Sequence, residues 1–299
     1  WLALDPPELG QPLAEAAYLE ALADTQIFGG RWLVSLDPHL RVGLSQGGSA
    51  ALASWRGIGR GLAFFETHRE WTRHLPAGQL AVVSDYAGAN EFLSFEVLNL
   101  LARQGSLYRI VEKRGAIAAS FDGLDAVLYV DTAPPERELA RTLDAFVDGG
   151  GTLITPPGWP ERGAPEEGGG LSRFRVLRVG RGRLAISRAE LGDPFILAED
   201  AQLLMSHRRD RIRAFNPGTA QFHYATSRDG KAGIVHALRF DEPDRRQPLT
   251  LWFDRPWSKA RAWTPDGADP VPVERSPAER GVEFTMTPLP AYSALELFA

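Results

Sequence analysis

Between Gln79 and Pro157, short, continuously apolar runs alternate with amphipathic segments of helical period, and this alternation restricts the fold more than anything else in the chain. "QLAVVSDY", "SLYRIVEK", "LDAVLYVD" and "GTLITPP" read as strands, two of them apolar on successive residues, as strands buried on both faces of a parallel sheet are. "EFLSFEVLNLLARQG" reads as a helix closed by Gly105, with Phe92, Phe95, Leu98 and Leu101 directed inward. "PPERELARTLDAFVDGG" starts with Pro and Glu, as helices do, and sets Leu139, Leu143, Phe146 and Val147 on one face. Strand and helix in strict turn imply a doubly wound, open α/β sheet.

The flanks have a different character. Residues 12–24 predict a helix with Leu13, Ala17 and Leu22 on its apolar side. "FGGRWLVSLD" predicts a buried strand ending at Asp37. From Ser49 a long amphipathic helix follows, with Leu52, Trp55, Ile58, Leu62 and Phe65 recurring every three or four residues. Helix, strand, helix is too little for a domain but suits the last unit of a larger α/β fold. The opening on Trp1, without methionine, fits a chain cut from something longer. "PGWPERGAPEEGGG" reads as a surface loop, "RFRVLRVGRGRLAIS" as strand, and "GDPFILAEDAQLLMSH" as a helix capped by Asp193. From about Asp210, short strands separated by turns, with "SRDGK" as a hairpin signal, predict a small antiparallel β-sandwich.

Composition closes several routes. The 299 residues contain no cysteine, which removes disulfides, thiolate metal sites and cysteine nucleophiles together. A net charge of -5 gives no electrostatic footprint for nucleic acid or an anionic membrane, and no apolar run reaches membrane-spanning length. Abundant Ala, Gly and Pro, with arginine far outnumbering lysine, fit a GC-rich bacterial genome. The compartment, cytoplasmic or exported, is left open.

Four stretches invite chemistry. Gly149, Gly150 and Gly151 follow a helix and precede a strand, the reverse of a phosphate loop, so they read as a helix C-cap. "GLSQG" matches the G-x-S-x-G nucleophile pattern at Ser45, but "DPHLRV" before it is a poor strand, and Ser45 reads as a loop residue. His68 and His74 are six residues apart and face different sides of their helix, so no metal site is expected there. The arginines of "RFRVLRVGRGR" and "SHRRDRIR" lack interleaved stacking aromatics and read as solvated faces. Acids at the carboxyl ends of strands are better candidates, because α/β sheets bind ligands there: Asp37, Asp85 with Tyr86, and Asp131 are expected as substrate-binding residues. Each has a plainer reading as well, Asp37 and Asp131 as caps and Asp85 as a bond to loop amides.

The order of these segments resembles the C-terminal half of family-42-type β-galactosidase-like glycoside hydrolases. "FGGRWLVSLDPHL" with its long helix resembles the close of a (β/α)8 barrel. "LDAVLYVDTAPPERELARTLDAFVDGGGTLITPP" resembles a class I glutamine-amidotransferase-like, flavodoxin-like domain. "GRGRLAI…GDPFILAEDAQLLMSHRRDRIRAFN", "DGKAGIVHAL" and "PLPAYSALEL" resemble the passage into a β-sandwich and its last strand. The resemblance implies three domains: a barrel remnant over 1–76, the amidotransferase-like domain over 77–209 and the sandwich over 210–299. It also implies that the catalytic carboxylates lie upstream of Trp1, leaving this region without catalytic residues, cofactor or metal. Its role would then be homo-oligomer assembly and enclosure of a carbohydrate substrate. The rival reading is a sugar-binding accessory module in which Trp159, Trp252, Trp257 or Trp263 stacks on a pyranose; the serine hydrolase at Ser45 is a third.

Overall fold

A computed structural model describes residues 2–3, 12–166, 171–206, 209–217, 219–240, 248–267, 269–286 and 291–299. Residues 167–170 of the glycine-rich loop, 207–208 of the second basic cluster, 287–290 ahead of the last strand, and Trp1 lie outside that set. The chain divides into two units, one formed by Trp1–Leu75 with Ile212–Ala299 and the other by Pro76–Arg211.

The Pro76–Arg211 unit is built on a seven-stranded mixed sheet. Its strands are β1 (Leu80–Ser84), β2 (Tyr108–Glu112), β3 (Ala126–Tyr129), β4 (Thr152–Thr155), β5 (Ala164–Pro165), β6 (Phe174–Val179) and β7 (Gly182–Ser187). They lie in the order β2-β1-β3-β4-β7-β6-β5. The first five of that order are parallel, while β6 and β5 run antiparallel to their neighbours. Every residue of β1, β3 and β4 is buried, as the continuous apolar runs require. Helices cover both faces. Val97, Leu98 and Leu101 of α1 (Glu91–Arg103) and Leu197, Ala201 and Leu204 of α3 (Pro194–Met205) pack on Leu80, Val82, Leu128 and Ile154. Leu139, Leu143 and Val147 of α2 (Arg137–Asp148) pack on Val83, Val127, Leu153 and Ile186 of the opposite face.

Several details differ from the sequence expectation. Phe92 and Phe95 are 69% and 51% exposed, because the inward stripe of α1 is Ser94, Val97, Leu98 and Leu101. On the helical wheel Phe95 lies about 110° from the centre of that stripe and Phe92 about 170°, nearly opposite it. "RFRVLRVGRGRLAIS" is a hairpin of β6 and β7 turning at Gly180 (φ 55°). The expected surface loop contains the short edge strand β5. Asp193 caps α3 as expected, accepting from the backbone N–H of Phe195 and Ile196.

The triple glycine ends α2 in a Schellman motif. Gly151 N–H donates to Phe146 O (3.0 Å) and Gly150 N–H to Val147 O (2.9 Å), while Gly150 takes φ 117°. That conformation disfavours a Cβ, so glycine is required at this position.

In the other unit, Ile212–Phe215, Leu249–Phe253, Gly281–Met286 and Val273–Ala278 form an antiparallel sheet in that order. Lys259–Trp263, Tyr292–Phe298, Ala232–Arg239 and Ala220–Thr226 pair antiparallel in a second sheet. The "SRDGK" hairpin is present, with Ser227 N–H on Ala232 O and Gly230 at φ 68°. The N-terminal helices share a core with the second sheet. Leu22 and Ile27 of helix Glu15–Ile27, Phe64 and Phe65 of helix Ser49–Thr67, and Trp71 pack with Ile234, Leu238 and Tyr292. The long helix stops at Thr67 and gives way to a 3-10 turn over Arg69–Arg73. Its inward residues are Gly57, Ile58, Gly61, Phe64 and Phe65, whereas Leu52, Trp55 and Leu62 are exposed. Small residues on the inward side allow close approach: a Cβ at Gly61 would stand 2.5 Å from Leu19. The indole N–H groups of Trp71 and Trp263 donate to the two oxygens of Glu296, at 2.9 and 2.7 Å.

Replacing Gly150 with Ala should destabilise the protein by about 1–2 kcal/mol, the cost of a side chain at positive φ. Gly149, at φ -70°, should tolerate the same change at smaller cost. Urea unfolding of the two variants checks the ranking.

Candidate functional site

Asp37 lies in the unit that contains both chain ends; Asp85, Tyr86 and Asp131 lie in the other. Asp37 does not end a strand. The only strand in that stretch is Trp32–Leu33, and Asp37 is the N-cap of a helix over Pro38–Ser45, accepting from His39 N–H (2.9 Å) and Leu40 N–H (3.0 Å). Its other oxygen accepts from the Tyr18 hydroxyl at 2.7 Å, and the residue is almost wholly buried. Burial pushes its carboxyl up, but the hydrogen bonds from Tyr18, Leu40 and His39 outweigh that and hold it below the usual range. Every strong contact of this carboxylate is internal, which is the work of a cap.

Ser45 is the last residue of the same helix, not a loop residue, and its hydroxyl donates to Val42 O at 2.8 Å. A nucleophile elbow needs a strand leading into the serine and a helix leaving it; here a helix leads in. His68 stacks on Trp71 (4.1 Å between centroids, 11° between planes), and His74 Nδ1 lies 3.2 Å from Trp71 O. Among the described residues no group of three His, Asp or Glu side chains is placed to hold a metal.

The other candidates meet at the carboxyl ends of β1, β2 and β3. β1 is the switch point of the sheet: the chain leaves it for β2 on one side and returns to β3 on the other. Asp131, just beyond β3, is fully buried. It accepts from the Ser84 hydroxyl, from Asp85 N–H (3.1 Å) and from the Lys113 ammonium, which also pairs with Asp85 Oδ2 at 2.9 Å. Asp85 Oδ1 accepts from Ala87 N–H (3.1 Å) and from the Asn90 amide (3.0 Å). Asp131 is not the cap of α2, whose N-cap is Glu136. Tyr86 takes φ 52°, and its hydroxyl turns back to donate to Val82 O at 2.6 Å. Its ring is therefore part of the wall, with burial first among the causes that push its hydroxyl above the usual range.

Lys113 was not singled out from the sequence, although it organises this cluster. Its signal was register: in a parallel pair it follows Glu112, the partner of Ser84, so it falls beside the first residues beyond β1. Burial disfavours its ammonium, yet the hydrogen bonds to Asp131 and Asp85 prevail and push it up to about 12. The Asn90 amide first, and then Lys113, hold the Asp85 carboxyl down at about 2. A carboxyl so acidic is ionised at neutral pH and cannot serve as a general acid. The cluster is a closed knot, one ammonium shared by two carboxylates, that ties three strand ends together.

No family model matches the sequence, and none of the curated proteins matches it. Solved structures do match. α-L-Fucosidase isoenzyme 2 from Paenibacillus thiaminolyticus superposes with a TM-score of 0.62 at 12% identity, over 95% of this chain and 57% of that one. The cold-adapted β-galactosidase from Rahnella sp. R3 gives 0.54 at 12% identity, over 95% and 51%. The β-galactosidase from Bacillus circulans sp. alkalophilus gives 0.50 at 11% identity, over 80% and 45%. The fold of this chain is therefore shared with a part of each of these glycosidases. The chain spans about half the length of these glycosidases. At such identities the likeness is one of fold.

Removing the Lys113 ammonium would strand a buried carboxylate, so Lys113→Met should destabilise the protein by about 3–5 kcal/mol. Adding Asp131→Asn should recover part of the loss. The sign of the pH dependence follows from the two shifts. The Asp85 contribution is complete above its unfolded value of about 4 and disappears as pH falls through about 2. The Lys113 contribution is complete below its unfolded value of about 10.4 and disappears as pH rises through about 12. Urea midpoints measured across pH should fall in both windows, and less steeply in Lys113→Met.

Proposed function

We propose that this chain is the non-catalytic C-terminal region of a β-galactosidase-like, carbohydrate-active enzyme, serving homo-oligomer assembly and enclosure of the active site. The observation that carries the reading is the fold likeness along nearly the whole chain to about half of each of three glycosidases. Within it, 77–209 is the flavodoxin-like, amidotransferase-like domain; the β2-β1-β3-β4-β7 order corresponds to the 2-1-3-4-5 order of that fold. With no cysteine in the sequence, this domain lacks an amidotransferase nucleophile. Residues 210–299 supply the two sheets of a β-sandwich, with Tyr224 of one against Phe253 of the other at 5.5 Å. Residues 1–76 are assigned as the close of the barrel. The carbohydrate substrate belongs to the full-length enzyme, whose catalytic carboxylates would lie upstream of Trp1.

The assembly role has support of its own. α1 and α3 are neighbours on one face of the sheet, and they leave Phe92, Phe95, Phe195 and Leu203 more than half exposed. Large apolar side chains grouped on one helical layer are uncommon on a lone soluble chain and characteristic of surfaces that another molecule covers. A second copy of the chain is the partner assigned here.

Sedimentation velocity tests this directly. The chain should sediment as an oligomer, and Phe92→Asp/Phe195→Asp should shift it to monomer without loss of secondary structure. A monomeric parent chain across the accessible concentration range contradicts the assembly role.

A further inference from the structure

The loops that leave β3 and β4 enclose a cavity of ≈ 460 Å³ at the carboxyl edge of the sheet. Pro134 and Pro135 come from one loop, and Pro156, Pro157, Trp159 and Pro160 from the other. Its position follows the rule that open α/β sheets take ligands beyond the carboxyl ends of their strands. Its size and largely apolar lining are those of a small-molecule site.

Trp159 sets the chemistry. It packs edge-on against Tyr129 (5.2 Å between centroids, 62° between planes), which fixes the ring while leaving it partly exposed. Among the described residues its indole N–H has no protein hydrogen-bond partner and is not among the buried polar atoms. The other tryptophans considered for stacking are committed elsewhere. Trp257 is buried, Trp263 donates to Glu296, and Trp252 lies beneath the Arg213 guanidinium at 4.9 Å. Two charged residues, Arg162 and Asp144, complete the lining. Arg162 pairs with Asp144 at 3.0 Å and with Asp148 at 2.8 Å, so its charge is compensated and an anion gains little by binding there. The site thus offers a fixed flat ring and a polar edge whose arginine is already paired.

We propose that this cleft binds a neutral sugar, with one pyranose face stacked on Trp159 and its hydroxyls meeting the Arg162–Asp144 pair. A pyranose has the matching character, apolar C–H groups on one face and hydroxyls round the rim. A proline-rich peptide fits less well, because its recognition uses grooves lined by several aromatic rings, whereas here the prolines belong to the receptor and the ring is single. The cleft lies within one copy of the chain, so this inference holds or fails independently of assembly.

The test is titration of the whole chain, followed by tryptophan fluorescence and calorimetry. The probes are neutral mono- and disaccharides of galactose, glucose, xylose and fucose, with a proline-rich peptide as a separate arm. At least one sugar should bind saturably. Trp159→Ala should weaken it by roughly tenfold, the scale of one lost stacking contact. Should Trp159→Ala fail to fold, Thr132→Trp blocks the same cleft from an exposed position and should abolish binding, while Trp252→Ala should leave it intact. No saturable binding by any sugar, sugar binding insensitive to Thr132→Trp, or binding of the peptide alone overturns the proposal.

Discussion

A carboxylate without solvent contact, Asp131, sits where three parallel strands end, and the structure around it supplies its hydrogen-bond donors. Water cannot stabilise it, so protein donors must: the Ser84 hydroxyl, the Asp85 backbone and the Lys113 ammonium. Those donors come from β1, the turn after it and the end of β2, so meeting the charge also fixes how the three strands end together. Asp85 turns outward to share Lys113 and to hold Ala87 and Asn90, which shapes the entry into α1. Tyr86 accepts a positive φ within that turn, a conformation that persists only where its surroundings over-determine it.

The same compensation decides what the cluster does. In an open α/β sheet, acids at the switch point are the natural place to look for a ligand site or a catalytic pair. Here one acid is sealed, the other is held strongly ionised, and the cation between them is shared. Asp37, in the other unit, is likewise occupied by Tyr18 and the start of a helix. Each of these carboxylates is held by hydrogen bonds or ion pairs from within its own unit. Glu296 does comparable work in the unit of the chain ends, where Trp71 ties the N-terminal helical segment, and Trp263 the neighbouring strand, to the last strand.

The parallel sheet was legible because β1, β3 and β4 are buried on both faces, and runs such as Leu80–Val83 and Ala126–Tyr129 are apolar on successive residues. The Gly149–Gly151 terminator was legible from its order, helix before glycine before strand. Phe92 and Phe95 misled, since helical spacing shows that an apolar stripe exists but not which of two overlapping stripes faces the sheet; Ser94, small and buried, marks the true one. Leu52, Trp55 and Leu62 misled for a similar reason, with Gly57 and Gly61 carrying the close contact. Asp37 was placed at a strand end because "RWLVSLD" is apolar, although the following proline is equally a helix-start signal. Lys113 was invisible because its importance arises from pairing between strands distant in sequence. The cleft at Trp159 depends on how two loops converge, which no local pattern records.

On the proposed reading the strand-end carboxylates are structural and the chain is catalytically silent. Steady-state assay of the purified chain with aryl β-galactosides and aryl α-fucosides tests that most directly, with Asp85→Asn as the paired variant. No turnover above the uncatalysed rate is expected from either protein. Turnover by the parent chain that disappears in folded Asp85→Asn would show the knot to be an active site and contradict the account.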